Sequence, residues 1–239
     1  MSSYIRTVDS YVMPVKRNKV SRIANNSVFR KKFRRRGLPL RSIGRYSRSD
    51  MSGVPSKMFV KLRYAQLLTS TAAGVNDQDF RLNSLFDPDA EGAGQQPQGF
   101  DELSALYTRY RVYACKTRVT YVNNDSDTVE VITLPSTGAT DYSDIQDALT
   151  APRAKSTTLT ATGGSKDRVI HSHYVNIKKS EGWDGNVQDL SAGVTASPSL
   201  LWYLHCITAQ ADASAVNIDM KIEMTFYCKF FDPKKLGIS

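Results

Sequence analysis

The 239-residue chain is predicted to be all-β: an eight-stranded antiparallel single jelly roll of two packed four-stranded sheets, with short loop helices and a disordered basic N-terminal arm. Three observations carry this prediction. Apolar and polar residues alternate repeatedly after residue 57, most completely over residues 216–230, where eight apolar residues occupy every second position. Helical spacings interrupt that pattern after the second and fourth strands, and a long loop precedes the seventh. A simple up-and-down barrel needs only short turns, so these insertions favour the two-sheet jelly roll. Finally, residues 16–48 hold thirteen Lys or Arg and no acid, a composition with little to bury.

The elements follow in order. Met58, Val60, Leu62 and Tyr64 share one face and Lys61 and Arg63 the other, the pattern of a half-buried strand. A second strand is predicted over residues 79–86, ending at Asp87-Pro88-Asp89, with a Gly/Gln/Pro loop over 91–98. Phe100, Leu103, Leu106 and Tyr107 recur at helical spacing. Asp101 and Glu102 suit the positive end of a helix dipole, so two helical turns are predicted there. The third strand, residues 109–122, places Tyr113, Cys115, Val119 and Tyr121 on one face and Lys116 and Arg118 on the other. Asn123-Asn124-Asp125-Ser126 turns the chain into a fourth strand at 129–134. Ser143 and Gln146 have capping-box spacing beside Ile145, Ala148 and Leu149, which predicts a short helix ended by Pro152. Strands at 156–162 and 168–178 hinge on Gly163-Gly164, and a long loop spans 181–198. Residues 200–210 are apolar on both faces, as in a central strand.

The charge is unevenly distributed. Residues 1–50 carry fourteen Lys or Arg against Asp9 and Asp50, or +12, whereas residues 51–239 carry 18 against 21, or −3. The chain therefore divides into a basic arm, residues 1–50, and a jelly-roll body, residues 51–239. Such an arm repels itself in isolation but neutralises phosphates without needing a fixed fold. The candidate nucleic-acid-binding residues are Lys16, Arg17, Lys19, Arg22, Arg30, Lys31, Lys32, Arg34, Arg35, Arg36, Arg41, Arg45 and Arg48. Phe29, Phe33 and Tyr46 interleave with them, placed either to stack on unpaired bases or to pin the arm to the body. Lys116 and Arg118 are candidates for a further basic contact, in an interior or at an interface between copies.

Asn83-Ser84-Leu85-Phe86-Asp87-Pro88-Asp89, then Gln96-Pro97-Gln98-Gly99-Phe100-Asp101, then Leu106-Tyr107-Thr108-Arg109-Tyr110-Arg111-Val112 form an ordered motif. It resembles the capsid proteins of small circular single-stranded DNA viruses that encode a Rep protein, the circovirus-like group. The resemblance covers about 35 residues in motif and the whole chain in layout, an Arg-rich arm before one jelly roll. It implies a virion protein that self-assembles, with ~60 copies in the smallest icosahedral shell. It also implies a packaged single-stranded DNA genome, a host receptor that the sequence does not identify, and passage through the host nucleus. Residues 14–19 and 30–36 are candidate elements for the host nuclear import machinery. The alternative from another class is a cellular nucleic-acid-binding structural protein, ribosomal or chromatin-like, with a basic tail; its body should also be basic, and here it is −3.

No constellation in the sequence points to catalysis, to a cofactor or to a metal. Cys115, Cys206 and Cys228 are an odd count without CxxC spacing and read as reduced core residues. His171 and His173 share a strand face but lack a companion Cys or carboxylate, so the core reading is preferred over a metal pair. Gly163-Gly164-Ser165-Lys166 lacks the P-loop frame, and Asp87-Pro88-Asp89 is first a turn. No apolar stretch is long enough to span a bilayer, so a soluble protein without a membrane partner is expected.

Overall fold

The computed structural model describes residues 54–92, 95–180, 189–210 and 213–235. The thirteen candidate arm cations and Phe29, Phe33 and Tyr46 lie outside the described residues. Strand β1 (Lys57–Ser70) leads through β2 (Asn76–Arg81) and helix α1 (Phe100–Leu106) to β3 (Tyr107–Asn123). Then come β4 (Val129–Ser136), α2 (Ile145–Thr150), β5 (Lys155–Leu159), β6 (Arg168–Val175), α3 (Ile177–Ser180), β7 (Ser191–Gly193), β8 (Tyr203–Ala209) and β9 (Ile218–Pro233).

Two antiparallel sheets form, ordered β1-β9-β3-β6 and β2-β8-β4-β5, with β7 added beside β3. Strands consecutive in sequence mostly alternate between the sheets, which is the jelly-roll winding. The eight expected strands are therefore present, and β7 makes the first sheet five-stranded. The inner faces supply the core: Leu62 and Tyr64 from β1, Phe80 from β2, Tyr121 from β3, Val129 and Val131 from β4, and Phe226 and Phe230 from β9 are buried. Phe100 of α1 plugs this core, its ring edge-on to Tyr110 at 5.8 Å and 6.1 Å from Phe230. The helix starts directly on Gly99, whose φ of 86° is left-handed and costs glycine little.

Several boundaries depart from the sequence expectation. The second strand stops at Arg81 rather than running to residue 86, because Leu82, Asn83, Ser84 and Leu85 are all buried and do not alternate. Asn83 is held by side-chain hydrogen bonds: Nδ2 donates to Leu200 O at 2.8 Å, and Oδ1 accepts from Trp202 N at 3.0 Å. The segment is a buried turn fixed by its side chains. In β3 the register with β9 shifts between Val112 and Ala114. That extra residue turns Tyr113 away from the face of Cys115, Val119 and Tyr121, and it stacks on exposed Phe59 instead. Helix α2 is capped by Asp144, whose Oδ1 accepts from Gln146 N at 2.9 Å, rather than by the Ser143 capping box. The strand predicted at 156–162 ends at Leu159, where Thr160 N bonds to Lys166 O within its own loop. Asn176 Oδ1 accepts from Lys179 N and starts α3, which shortens β6 to Val175.

Residues of β8 are buried on both faces for a specific reason. Helix α2 and its flanking loops cover the outer side of the four-stranded sheet, enclosing Ile207 with Ile132, Leu134 and Ala148 in a second small cluster. Ile132, Leu134 and Ile207 each contribute about 1.5–3 kcal/mol on burial. The three cysteines are free and buried, as expected, and burial pushes the Cys228 thiol up to about 12. Among the described residues no helix is long and apolar enough to cross a membrane.

Candidate nucleic-acid interface

Alternation that fills the core with every second residue of the five-stranded sheet sends the others to its outer face. On β1 these are Lys57, Phe59, Lys61, Arg63, Ala65, Leu67 and Thr69; their partners on β9 are Phe231, Lys229, Tyr227, Thr225, Glu223, Lys221 and Asp219. β3 contributes Arg109, Arg111, Lys116 and Arg118, and β6 contributes Arg168, Ile170, Ser172 and Tyr174. The face thus carries ten Lys or Arg against two acids, Asp219 and Glu223, while the remainder of residues 51–239 is left at −11. The acidic body sum of −3 conceals a body with segregated charge.

The two acids are engaged. Asp219 accepts from Thr69 Oγ1 and Asn124 Nδ2, each at 2.8 Å, and these hydrogen bonds hold its carboxyl below the usual range. Glu223 pairs with Lys221 at 3.2 Å. Four of the ten cations sit over aromatic rings. Lys229 Nζ lies 4.6 Å and the Arg109 guanidinium 5.6 Å from the Phe231 ring centre; Arg111 lies 5.5 Å from Tyr113, and Lys61 lies 5.2 Å from Tyr227. Such contacts are worth about 0.5–1 kcal/mol at exposed sites and pre-position charge without neutralising it. Phe59 and Tyr174 remain 70% and 60% exposed, leaving ring surface open above the sheet.

Across the middle of this face runs a groove of about 670 Å³ lined by Arg63, Gln95, Gln96, Gln98, Lys116, Arg118, Glu223 and Thr225. The structure therefore places Lys116 and Arg118 together, exposed, beside Arg63. Gln98 N donates to Arg63 O at 3.2 Å, which ties the glutamine-bearing loop to the edge of β1. Chemically the surface offers cations for phosphates, amides for base edges and aromatic faces for stacking, the combination used by single-strand binders.

The other sequence candidates resolve as structural. Asp87 pairs with Arg81, and Asp89 accepts from Gln66 Nε2 at 2.9 Å and from Glu91 N at 3.1 Å. His171 and His173 lie on the inner face of β6. His171 bridges Thr133 Oγ1 (Nδ1, 2.5 Å) and Thr157 Oγ1 (Nε2, 3.1 Å), tying β6 to the opposite sheet. Burial, assisted by the Lys155 charge, lowers both histidines to about 4, so they are neutral near pH 7. Sequence reasoning missed Arg63, Lys61, Lys221 and Lys229 as members of the basic face, although their alternation was visible. It also missed the grouping of Asp77 and Asp79 with His205, residues more than a hundred positions apart. In that group burial opposes charge on the His205 ring, but the bond to Asp77 and the two carboxylate charges prevail and raise it to about 10.

No protein-family model and no curated protein matches the chain. Among solved structures it is similar to turnip yellow mosaic virus at 8% identity and TM-score 0.44, over 77% of this chain and 98% of that one. It is similar to the decameric BFDV capsid protein at 10% identity and TM-score 0.41, over 73% of this chain and 99% of that one. It is also similar to the T=3 Penaeus vannamei nodavirus structure at 14% identity and TM-score 0.44, over 95% of this chain and 65% of that one. The fold assignment rests on the strand order itself.

Proposed function

We propose that the chain is the coat subunit of a small closed shell that packages single-stranded DNA by sequence-independent phosphate contacts. The observation that carries this reading is the charge segregation: ten cations against two acids on one sheet face of an otherwise acidic body, preceded in sequence by an arm with thirteen more. A shell needs one surface that holds polyanion and others that meet neighbouring copies, and a subunit charged on one side meets that requirement. The motif resemblance to circovirus-like capsid proteins supports the same reading. With ~60 copies in the simplest closed shell, arms of +12 place ~720 positive charges inside, against one negative charge per nucleotide. For a genome of a few thousand nucleotides that neutralises a substantial minority, and the sheet face adds to it. The arm's basic segments also serve, in this reading, as signals for host nuclear import. The role is structural and uses no catalytic residue.

Electron microscopy with the 260/280 nm absorbance ratio tests this on the full-length protein beside a chain starting at Ser49. Closed particles that carry nucleic acid only with the full-length chain are the expected result. If both chains stay monomeric over a wide range of salt and protein concentration, the shell reading fails and the cellular nucleic-acid binder takes its place. Lys116→Glu with Arg118→Glu separates the roles of the groove. Packaging is expected to fall while empty particles still assemble; loss of assembly without nucleic acid would make the groove an intersubunit seam.

A further inference from the structure

The structure assigns a divalent-cation site of the zinc class to Asp77, Asp79 and His205, on the outer side of the four-stranded sheet. Asp77 and Asp79 are two residues apart on β2 and therefore project from the same face, and His205 on β8 is the direct cross-strand partner of Asp79. All three side chains are buried: His205 0%, Asp77 2% and Asp79 8% exposed. One imidazole nitrogen and two carboxylate oxygens is a donor set that zinc accepts, with a fourth position left for water.

Two features go beyond the clustering. The oxygen Asp77 Oδ1 is buried without a hydrogen-bond partner, a costly arrangement for a charged group. Asp79 Oδ1 lies 2.6 Å from His205 Nδ1, and Asp77 Oδ2 lies 3.0 Å from the same nitrogen, so one ring nitrogen with a single proton faces both carboxylates. The surroundings match an outer coordination shell. His205 Nε2 donates to Gly138 O at 3.1 Å, the backbone contact that orients a metal-binding imidazole, and Asp77 Oδ2 accepts from Tyr142 N at 3.0 Å. The Tyr142 ring stands edge-on to His205 at 5.1 Å. Donors held ~2.1 Å from a tetrahedral zinc stand ~3.4 Å apart, so entry moves Asp79 Oδ1 and Asp77 Oδ2, now 2.6 and 3.0 Å from His205 Nδ1, away from that nitrogen by less than about 1 Å. The bound cation replaces the ring's second proton and fastens the loop of Gly138 and Tyr142 onto the sheet. This assignment is independent of the shell reading.

The test uses tag-free full-length protein stripped with EDTA. Zinc sulfate is titrated by calorimetry, with manganese, calcium and magnesium as comparison ions, and the thermal midpoint is read with and without zinc. One zinc per chain, a raised midpoint and weaker binding of calcium and magnesium are expected. His205→Gln and Asp79→Asn should each weaken zinc by at least about tenfold, the low end of what loss of an outer-shell partner already costs. Cobalt as a probe should show d–d absorption without a thiolate band, which excludes the buried cysteines as ligands. If the unaltered protein takes up no stoichiometric zinc, or its midpoint does not move, the group is a proton-bridged cluster only and the assignment is overturned. That comparison needs no variant, so a misfolded substitution does not blunt it. Zinc bound equally well by a folded His205→Gln protein would overturn it too.

Discussion

The two sheets follow the same alternation rule and end with opposite outer surfaces. On the five-stranded sheet the outward residues of β9 are Asp219, Lys221, Glu223, Thr225, Tyr227, Lys229 and Phe231, and beside them Phe59, Leu67 and Tyr174 stay exposed among the described residues. On the four-stranded sheet the outward residues include Ile132, Leu134 and Ile207, and α2 with its loops closes over them. Covering a face with apolar residues yields stability; leaving a face polar and charged yields a surface that can hold a ligand. In this molecule stability is therefore invested on one side and electrostatic work on the other. A substitution's consequence should depend on which side it falls.

The largest contrast is between two outward aliphatic residues. Ile207→Ala removes a fully buried side chain beneath α2 and is expected to cost about 2–5 kcal/mol. Leu67→Ala, at a position 77% exposed on the other sheet, should change stability by no more than about 0.5 kcal/mol. Urea denaturation of both variants measures the difference. Equal losses would mean that something covers Leu67 as well.

Next in size is the response to acid at the join between the sheets. The folded chain keeps His171 and His173 neutral down to about 4, whereas histidines of the unfolded chain titrate near 6.5. Below 6.5 the unfolded chain therefore takes up protons that the folded chain refuses. Stability present above that pH is lost as the pH falls towards 4. His171→Gln with His173→Gln should flatten this acid limb in denaturation midpoints recorded from pH 7 to 4. An unchanged limb would place the sensitivity elsewhere.

The basic face is tested on the binding axis. On the proposed function, Arg63→Glu, Lys116→Glu and Arg118→Glu together would remove three phosphate contacts. At about 0.7 per single-strand contact, the slope of log K against log salt should fall by about 2. Fluorescence anisotropy with an unstructured oligonucleotide across a salt series reads the slope. Because all three side chains are exposed, the urea midpoint should barely move. A normal slope would assign binding to the arm alone.

How much of this was legible in the sequence depends on how local the cause was. Val216 to Phe230 announced β9 because its two faces differ at every step. The double-sided apolar character of residues 200–210 correctly marked a central strand, although what covers its outer side comes from α2, some sixty residues earlier. Tyr113 was misassigned because a bulge leaves no mark in periodicity, and β7 was missed because three residues are too few to alternate. The basic face was partly legible, since Lys61, Arg63, Lys116 and Arg118 each stood opposite an apolar neighbour. Summing charge over the body hid them, because a sum has no direction. The group of Asp77, Asp79 and His205 exists only through the pairing of β2 with β8, and no spacing rule reaches across that distance.

The smallest effect tests the cover of the four-stranded sheet at its outermost point. Helix α2 has six residues, too short to persist alone, so its first turn depends on the cap and on Ala148 packed beneath it. Asp144→Ala leaves Gln146 N without its acceptor and should cost about 1 kcal/mol, whereas Asp144→Asn, which keeps an oxygen in place, should cost much less. Ser143→Ala should be close to neutral, because the sequence spacing that suggested a capping box is not used. Hydrogen exchange at Ala148 N, which bonds to Asp144 O at 3.3 Å, reports the local opening directly. Faster exchange in Asp144→Ala with slow exchange retained in β9 would show that the cover loosens on its own while the five-stranded sheet stays intact. A matching rise in both would mean that the cover and the sheets unfold as one cooperative unit, and the division of labour between the two faces would then be one of surface chemistry alone.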